Sequence, residues 1–492
     1  MGQWPKHPLI YEINTWVWLD ELSRRVGHPL DLASVPDEEW DRMASFGFAA
    51  VWLMGVWERS PEGIRISMAN DELLADFRRA LPDFTDRDNV GSPYCVRRYR
   101  VDDHLGGPEG LAVARSRLSD RGVRLVLDFV PNHVAPDHSW VIDHPEYFIR
   151  GSEEDLERDP GSFKTCGGIV FACGRDPNFP AWPDVLQLNA FDASMRSAAV
   201  ETLASIAAQC DGVRCDMAML LMSSIFERTW GARAGGRPES DYWPEVIRAV
   251  KEKSPWFRFI AEAYWDLEWE LQQQGFDHCY DKRLYDRLER GSAESIRLHL
   301  CADLPYQERL VRFIENHDEP RAAAVFPPEK HRVAALTALT IPGARLVHEG
   351  QMEGRKVRLP VFLARRPEEP PDEELLAFHG RLLDVLRRGR YLDGSWVLLD
   401  PVGWQDNTIR GNLVSWCWKR GPSRCLIVVN LSDVPSQALV KVPWGELKGR
   451  SFWLKDVFTA TLYKRNGDEM IEPGLFVNLP PWGSHVFEWL VT

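Results

Sequence analysis

Four apolar runs in this sequence end abruptly in residues that can hold charge or move protons. The first, Arg124-Leu-Val-Leu-Asp-Phe-Val-Pro-Asn-His133, passes from aliphatic residues to Asp128, Asn132 and His133, with Pro131 ending strand pairing. The second, Gly212-Val-Arg-Cys-Asp-Met-Ala218, carries Arg214 and Asp216. The third, Phe259-Ile-Ala-Glu-Ala-Tyr-Trp265, carries Glu262. The fourth, Phe313-Ile-Glu-Asn-His-Asp-Glu-Pro-Arg321, carries His317 and Asp318. Any one of them also reads as a strand capped by a polar turn, or as a structural ion pair. Together they bring the carboxylates of Asp128, Asp216, Glu262 and Asp318, an arginine and two histidines to strand ends. Like charges converging on one mouth raise each other's pKa, an arrangement that suits catalysis better than stability.

The elements that must position these residues alternate along the chain. Short apolar runs read as strands at Leu9–Asn14, Ala49–Met54, Arg124–Phe129, Asp211–Asp216, Phe257–Ala261, Phe276–Tyr280, Leu310–Ile314 and Ala344–Val347. Between them, helical spacing appears at Asp37–Ser45, Pro108–Asp120, Ser194–Gln209, Glu245–Lys253, Leu267–Gln273, Ser295–Cys301, His331–Leu339 and Glu373–Arg388. Gly91–Tyr99 reads as a loop, and the acidic patch Glu368–Glu374 as a solvated helix start. Eight strand–helix units predict an α/β fold, a closed (β/α)8 TIM barrel, whose strand ends face a common mouth. No dinucleotide glycine fingerprint follows the first strand, which disfavours an open doubly wound sheet.

Periodicity fails from Val134 to Pro183, a stretch rich in Pro, Gly, Asp and aromatic residues, and a long irregular segment of this kind is usually functional. After about Arg390 the pattern turns to short alternating strands, at Leu413–Trp418, Arg424–Asn430, Ala438–Val442, Ser451–Leu454 and His485–Leu490. These predict a C-terminal antiparallel β-sandwich. The expected domains are a barrel over 1–133 and 184–389, a loop-rich insert over 134–183, and the sandwich over 390–492.

Bulk composition narrows the partners. The formal net charge of −14 argues against nucleic acid, whose phosphates would be repelled, and against an anionic membrane surface. No run of about 18 apolar residues suggests a membrane span, and no signal peptide is visible. Nine cysteines lack zinc-type spacing, and even Cys166 and Cys173, which share one loop, are expected to be free thiols. A cytoplasmic setting follows as an expectation. The 21 tryptophans suit the apolar faces of sugar rings, although indoles also fill cores.

As a set, Asp128-Phe-Val-Pro-Asn-His133, Gly212-Val-Arg-Cys-Asp216, Glu262 and Asn316-His-Asp318 resemble the α-amylase superfamily, glycoside hydrolase family 13. The resemblance covers the barrel, the insert after strand three and the C-terminal sandwich. It implies a retaining mechanism with Asp216 as nucleophile and Glu262 as general acid, then base. The two working carboxyls of retaining enzymes stand about 5–5.5 Å apart. Glu262 is expected to be kept protonated by carboxylate neighbours. Arg214 would orient Asp216, Asp318 would grip sugar hydroxyls, and His133 and His317 would bind the same sugar. Tyr94, in Ser-Pro-Tyr, matches the family's stacking tyrosine, and Trp182-Pro-Asp-Val-Leu-Gln-Leu-Asn189 its fifth motif.

The sequence departs from that pattern in places. Met219 and Leu220 stand where calcium-dependent amylases carry Lys-His, which weakens an endo-amylase assignment. Asn132 matches the family's calcium-ligand asparagine, but one ligand does not make a site, so no cofactor is required and Ca2+ is only a candidate. Glu349-Gly-Gln-Met-Glu353 resembles a family loop; Arg355-Lys-Val-Arg358 has no interpretation. The expected substrate is an α-glucan or maltooligosaccharide, cleaved at α-1,4 bonds. A transglycosylase of the same fold would share the intermediate, differing only in the acceptor. A non-catalytic binding or assembly module should have lost one of the three carboxylates, and Asp216, Glu262 and Asp318 are all present.

Overall fold

Eight apolar runs close into a parallel barrel in the computed structural model, which describes residues 3–490. Residues 1–2 and 491–492, the ends of the first and last expected domains, lie outside the described residues. The strands are β1 (Leu9–Asn14), β2 (Ala50–Met54), β3 (Arg124–Phe129), β4 (Gly212–Cys215), β5 (Arg258–Ala261), β6 (His278–Tyr280), β7 (Leu310–Arg312) and β8 (Ala344–His348). Their order around the barrel follows the chain. Each strand therefore lies beside its sequence neighbours, as helical crossovers between parallel strands require. β2 and β3 are buried along their whole length, which explains why they read as unbroken apolar runs rather than alternating ones.

Helices occupy the connections. Ala193–Gln209 follows β3, Tyr242–Lys253 follows β4, Pro328–Thr340 follows β7 and Glu373–Arg388 follows β8. The last shows why the acidic patch starts a helix. The Asp372 carboxylate caps it by accepting from the Glu374 and Leu375 N–H groups. Glu373 and Glu374 then complement the positive end of the helix dipole, and Arg387 and Arg388 the negative end. Helices at Thr15–Val26, Pro61–Met68, Asp71–Ala80, Ser223–Trp230 and Lys282–Arg290 add to those predicted.

Packing divides the chain into two compact units, one mainly of Ile10–Tyr280 and Val357–Glu368, the other mainly of Asp281–Lys356 and the chain from Glu369 on. In the first, the aperiodic stretch is not structureless. His133–Val134, Trp182–Gln187, Ile169–Gly174 and Phe163–Cys166 form a four-stranded sheet in that order. Its strands are short and its register slips at Cys173/Gly174, so no alternation long enough to read survives in the sequence. The stretch read as a loop, Gly91–Tyr99, contains the start of a strand, Val96–Val101, which pairs with Trp57–Arg59. Charged side chains at Arg97, Arg98 and Arg100 hide it.

In the second unit, a six-stranded antiparallel sheet and a two-stranded sheet enclose an apolar core that includes Leu426, Val428, Leu454, Met470 and Val477. Three of its strands, Ser395–Leu399, Leu462–Asn466 and Leu475–Leu479, escape sequence reading. Leu462–Asn466 is a sheet edge that buries none of its side chains, and its Lys464 and Arg465 protect that edge from pairing with another chain. All nine cysteines are free. Cys166 and Cys173 lie on paired strands rather than in one loop, but not opposite each other.

Candidate active site

β3, β4 and β5 are neighbours, and their register sets Arg214 of β4 beside Asp128 of β3. Residues two apart on a strand share a face, so Arg214 and Asp216 point the same way. The Arg214 guanidinium links three carboxylates. Nη1 donates to Asp216 Oδ1 at 2.7 Å and lies 3.7 Å from Asp128 Oδ1, while Nη2 pairs with Glu262 Oε2 at 2.8 Å. Rings of Trp52, Tyr94 and Tyr280 stand 5.1–5.9 Å from its central carbon. Burial by itself would lower the Arg214 pKa, but the Glu262 carboxylate, the tyrosine oxygens and Asp216 outweigh it and push it well up. The cation therefore persists between Asp216 and Glu262.

Asp128 braces the floor. Its Oδ2 accepts from Trp52 Nε1 at 3.2 Å, and its backbone carbonyl accepts from Trp57 Nε1 at 2.8 Å. At the other end of β4, Gly212 allows close approach to β5, since a Cβ there would lie 2.9 Å from the Arg258 carbonyl oxygen.

Glu262 follows β5 and is 2% exposed. The Met217 N–H donates to its Oε2 at 2.6 Å, and the Tyr264 hydroxyl bonds its Oε1 at 3.0 Å. Met217, next after Asp216, takes a left-handed conformation (φ 42°), which turns that N–H toward Glu262. The neighbours expected for Glu262 were carboxylates. Its direct contacts include a guanidinium and two donors, and Arg214 links it to Asp216 and Asp128. Tyr264 was not singled out in the sequence, although it lies two residues from Glu262 and hence on the same side of an extended chain. Trp52 and Tyr280 carried no signal beyond lying in apolar strands.

His133 and Asn132 begin the inserted sheet. His133 is buried, packs edge-on against Trp182 with ring centroids 5.3 Å apart, and has its pKa pushed down to about 4 by burial. It is a neutral imidazole, fit to give or take a hydrogen bond. Asn132 closes a reciprocal amide pair with Gln187. Gln187 Nε2 donates to Asn132 Oδ1 at 2.9 Å, and Asn132 Nδ2 donates back at 3.2 Å. Among the described residues no three of His, Cys, Asp and Glu cluster as a metal site. Calcium takes six to eight oxygen ligands, of which Asn132 would supply one. Asn132 ties the end of β3 to the insert.

Tyr94, Arg214, Asp216 and Glu262 thus come together in the first unit. In the second, His317 and Asp318 follow β7. Asn316 Oδ1 accepts from the Asp318 and Glu319 N–H groups, folding the loop into a tight turn. His317 is buried and pairs with Asp318 at 3.0 Å, and the Asp318 side chain keeps 40% of its surface exposed.

A parallel eight-stranded barrel with a charged cluster after its strands is the general plan of many enzymes. Comparison with known proteins narrows it. No family model matches the chain. It is 24% identical over 366 residues to α-amylase MalA of Haloarcula japonica, covering 72% of this chain. The match spans only 45% of that protein's length. It is 21% identical over 395 residues to α-amylase 3 of Dictyoglomus thermophilum, covering 75% of this chain and 68% of that one. The fold matches the crystal structure of a maltogenic α-amylase, AmyB of Thermotoga neapolitana, with a TM-score of 0.69, 19% identity and 99% of each chain covered. Motifs and sequence matches together support the α-amylase superfamily.

Proposed function

We propose that this chain is a retaining glycosidase that cleaves α-1,4 bonds of an α-glucan or maltooligosaccharide. The observation that carries the reading is Arg214 bridging Asp216 and Glu262 from adjacent strand ends. It keeps one carboxylate ionised for attack while a second lies close by, as a double-displacement mechanism needs. Asp216 attacks the anomeric carbon and forms a glycosyl ester. Glu262 gives a proton to the leaving oxygen, then takes one from the water that hydrolyses the ester. Asp318 and His317 bind sugar hydroxyls, Tyr94 stacks on the ring, and His133 serves as a neutral hydrogen-bond partner. The α-amylase names of both sequence relatives support an α-glucan substrate.

Met219 and Leu220, where calcium-dependent amylases carry Lys-His, are buried apolar residues of a short turn at Ala218–Leu221. They offer the sugar no cation, which favours short chains over long starch. A net charge of −14 fits a neutral substrate and neither nucleic acid nor membrane. Among the described residues no helix is long and apolar enough to cross a membrane. Nine free thiols suit a cytoplasmic, reducing setting. The insert over 134–183 and the strands after residue 390 are read as separate domains of the same enzyme.

Product analysis on maltooligosaccharides, with and without phosphate, tests the reading. Free sugar released in the α-configuration is expected. Longer oligosaccharides would redirect it to transfer, sugar phosphate to phosphorolysis, and a β-product would sink the retaining mechanism.

A further inference from the structure

The two oxygens of Glu262 meet different partners. Oε2 faces the Arg214 cation at 2.8 Å and takes the Met217 N–H at 2.6 Å. Both of those groups can only donate, and neither can lose its proton at working pH. Oε1 meets the Tyr264 hydroxyl at 3.0 Å, and a hydroxyl can donate or accept by turning about its C–O bond. A proton on Oε2 would confront a cation and an N–H. A proton on Oε1 meets a partner able to receive it.

We propose that Glu262 carries and delivers its catalytic proton on Oε1, and that Tyr264 is the positioning residue that makes this oxygen the acid. The inference rests on the glycosidase reading above and names the atom within it. At rest the protonated Oε1 donates to the Tyr264 oxygen. In the bond-breaking step the proton moves from Oε1 to the glycosidic oxygen. The C1–O electron pair passes to that oxygen, and an Asp216 oxygen supplies the pair that forms the new C1–O bond. As negative charge appears on Glu262, the Tyr264 hydroxyl turns and donates to Oε1.

Backbone geometry supports the placement. Trp265 and Asp266, directly after Tyr264, both adopt left-handed conformations (φ 63° and 61°) that non-glycine residues avoid. Such strain persists where the surroundings over-determine it, and here it sets the chain leaving Glu262. Other groups that bear on Glu262 include Asp216 and Asp128, both linked to Arg214, and Tyr280, whose hydroxyl is kept neutral by burial. Tyr264 meets Oε1 with a group that can reverse its hydrogen bond.

The test compares Tyr264→Phe with the unaltered enzyme on two substrates. One is a maltooligosaccharide, whose leaving oxygen needs a proton. The other is a dinitrophenyl α-maltooligoside, whose leaving group departs without one. Tyr264→Phe should lose about tenfold in kcat on the first and less than about threefold on the second. Charge-assisted hydrogen bonds are the stronger kind, so losing this one disfavours the carboxylate more than the acid. The alkaline limb of the maltooligosaccharide profile should therefore move up by about one pH unit. The ratio between substrates is read in one preparation, so a smaller folded fraction leaves it unchanged. Equal losses on both substrates with an unmoved alkaline limb would overturn the proposal. Glu262→Gln, assayed alongside, keeps the two ideas apart. If it retains full maltooligosaccharide activity, the glycosidase reading fails whatever Tyr264 does; if it loses that activity, the Tyr264→Phe ratio alone decides.

Discussion

Two buried arginines, one in each unit, use similar chemistry to opposite ends. Arg214 gathers Asp216, Asp128 and Glu262, all side chains from three neighbouring strand ends. Arg321 donates through Nη1 to Glu315 Oε1 at 2.7 Å, to His348 Nδ1 at 2.9 Å and to the backbone carbonyl of Glu349 at 2.7 Å. The second oxygen of Glu315 takes the Ala322 N–H at 2.6 Å. Backbone groups enter the Arg321 cluster on both sides, so its bonds fix the paths of the chain after β7 and after β8. Around Arg214 the backbone enters chiefly through Met217, and there it is strained. A cluster that binds backbone locks loops, whereas one made of carboxylates on rigid strands holds charges in place for work.

The contrast breaks first at Asp216, the proposed nucleophile. Asp216→Asn should lower kcat on the order of 10⁴-fold while changing unfolding free energy by less than about 2 kcal/mol, because Arg214 keeps Glu262. Matched kinetics and urea titrations would show it; full activity would remove Asp216 from the mechanism. Arg321→Met should do the reverse. Leaving Glu315 buried without its cation costs about 3–5 kcal/mol, seen as a lower urea midpoint, while kcat per folded molecule falls far less than for Asp216→Asn. Comparable kinetic losses would erase the distinction between the two clusters.

A pH titration sharpens it further. His133 has its pKa lowered from 6.5 to about 4 by burial, so the folded state resists a proton that the unfolded chain accepts. Its cost is absent above pH 6.5 and grows as the pH falls toward 4, reaching on the order of 3 kcal/mol. His133→Asn should flatten the dependence of the urea midpoint on pH across that window, and an unchanged slope would mean that His133 protonates freely in the fold. The smallest expected effect concerns the amide pair. Gln187→Ala should cost about 1–3 kcal/mol by leaving Asn132 unsatisfied. Chelation of the unaltered protein should leave its melting temperature where it was, and a large drop would show that calcium, not Gln187, organises Asn132.

Much of this was legible from local pattern. The ends of β3, β4 and β5 announce themselves because parallel strands buried on both faces are continuous apolar runs, and a charged residue ending one is conspicuous. The sheet in the insert was not legible, since His133–Val134 and Phe163–Cys166 are too short to show a period. Nor was the exposed edge strand Leu462–Asn466, whose charged side chains imitate a loop. Nor was the partner of Asn132 legible, since Gln187 stands 55 positions away.

The sequence by itself therefore determined the barrel, the alternation that builds it and the kinds of residue at its strand ends, because these depend on near neighbours and on periods of two and 3.6. Only the tertiary structure decided which groups meet. It placed one guanidinium against three carboxylates, paired Asn132 with the amide of Gln187, and gave the two oxygens of Glu262 different partners. Those outcomes follow from strand register and strained turns that bring distant atoms within hydrogen-bond reach. At that range, a shift of about one ångström separates a proton donor from a bystander.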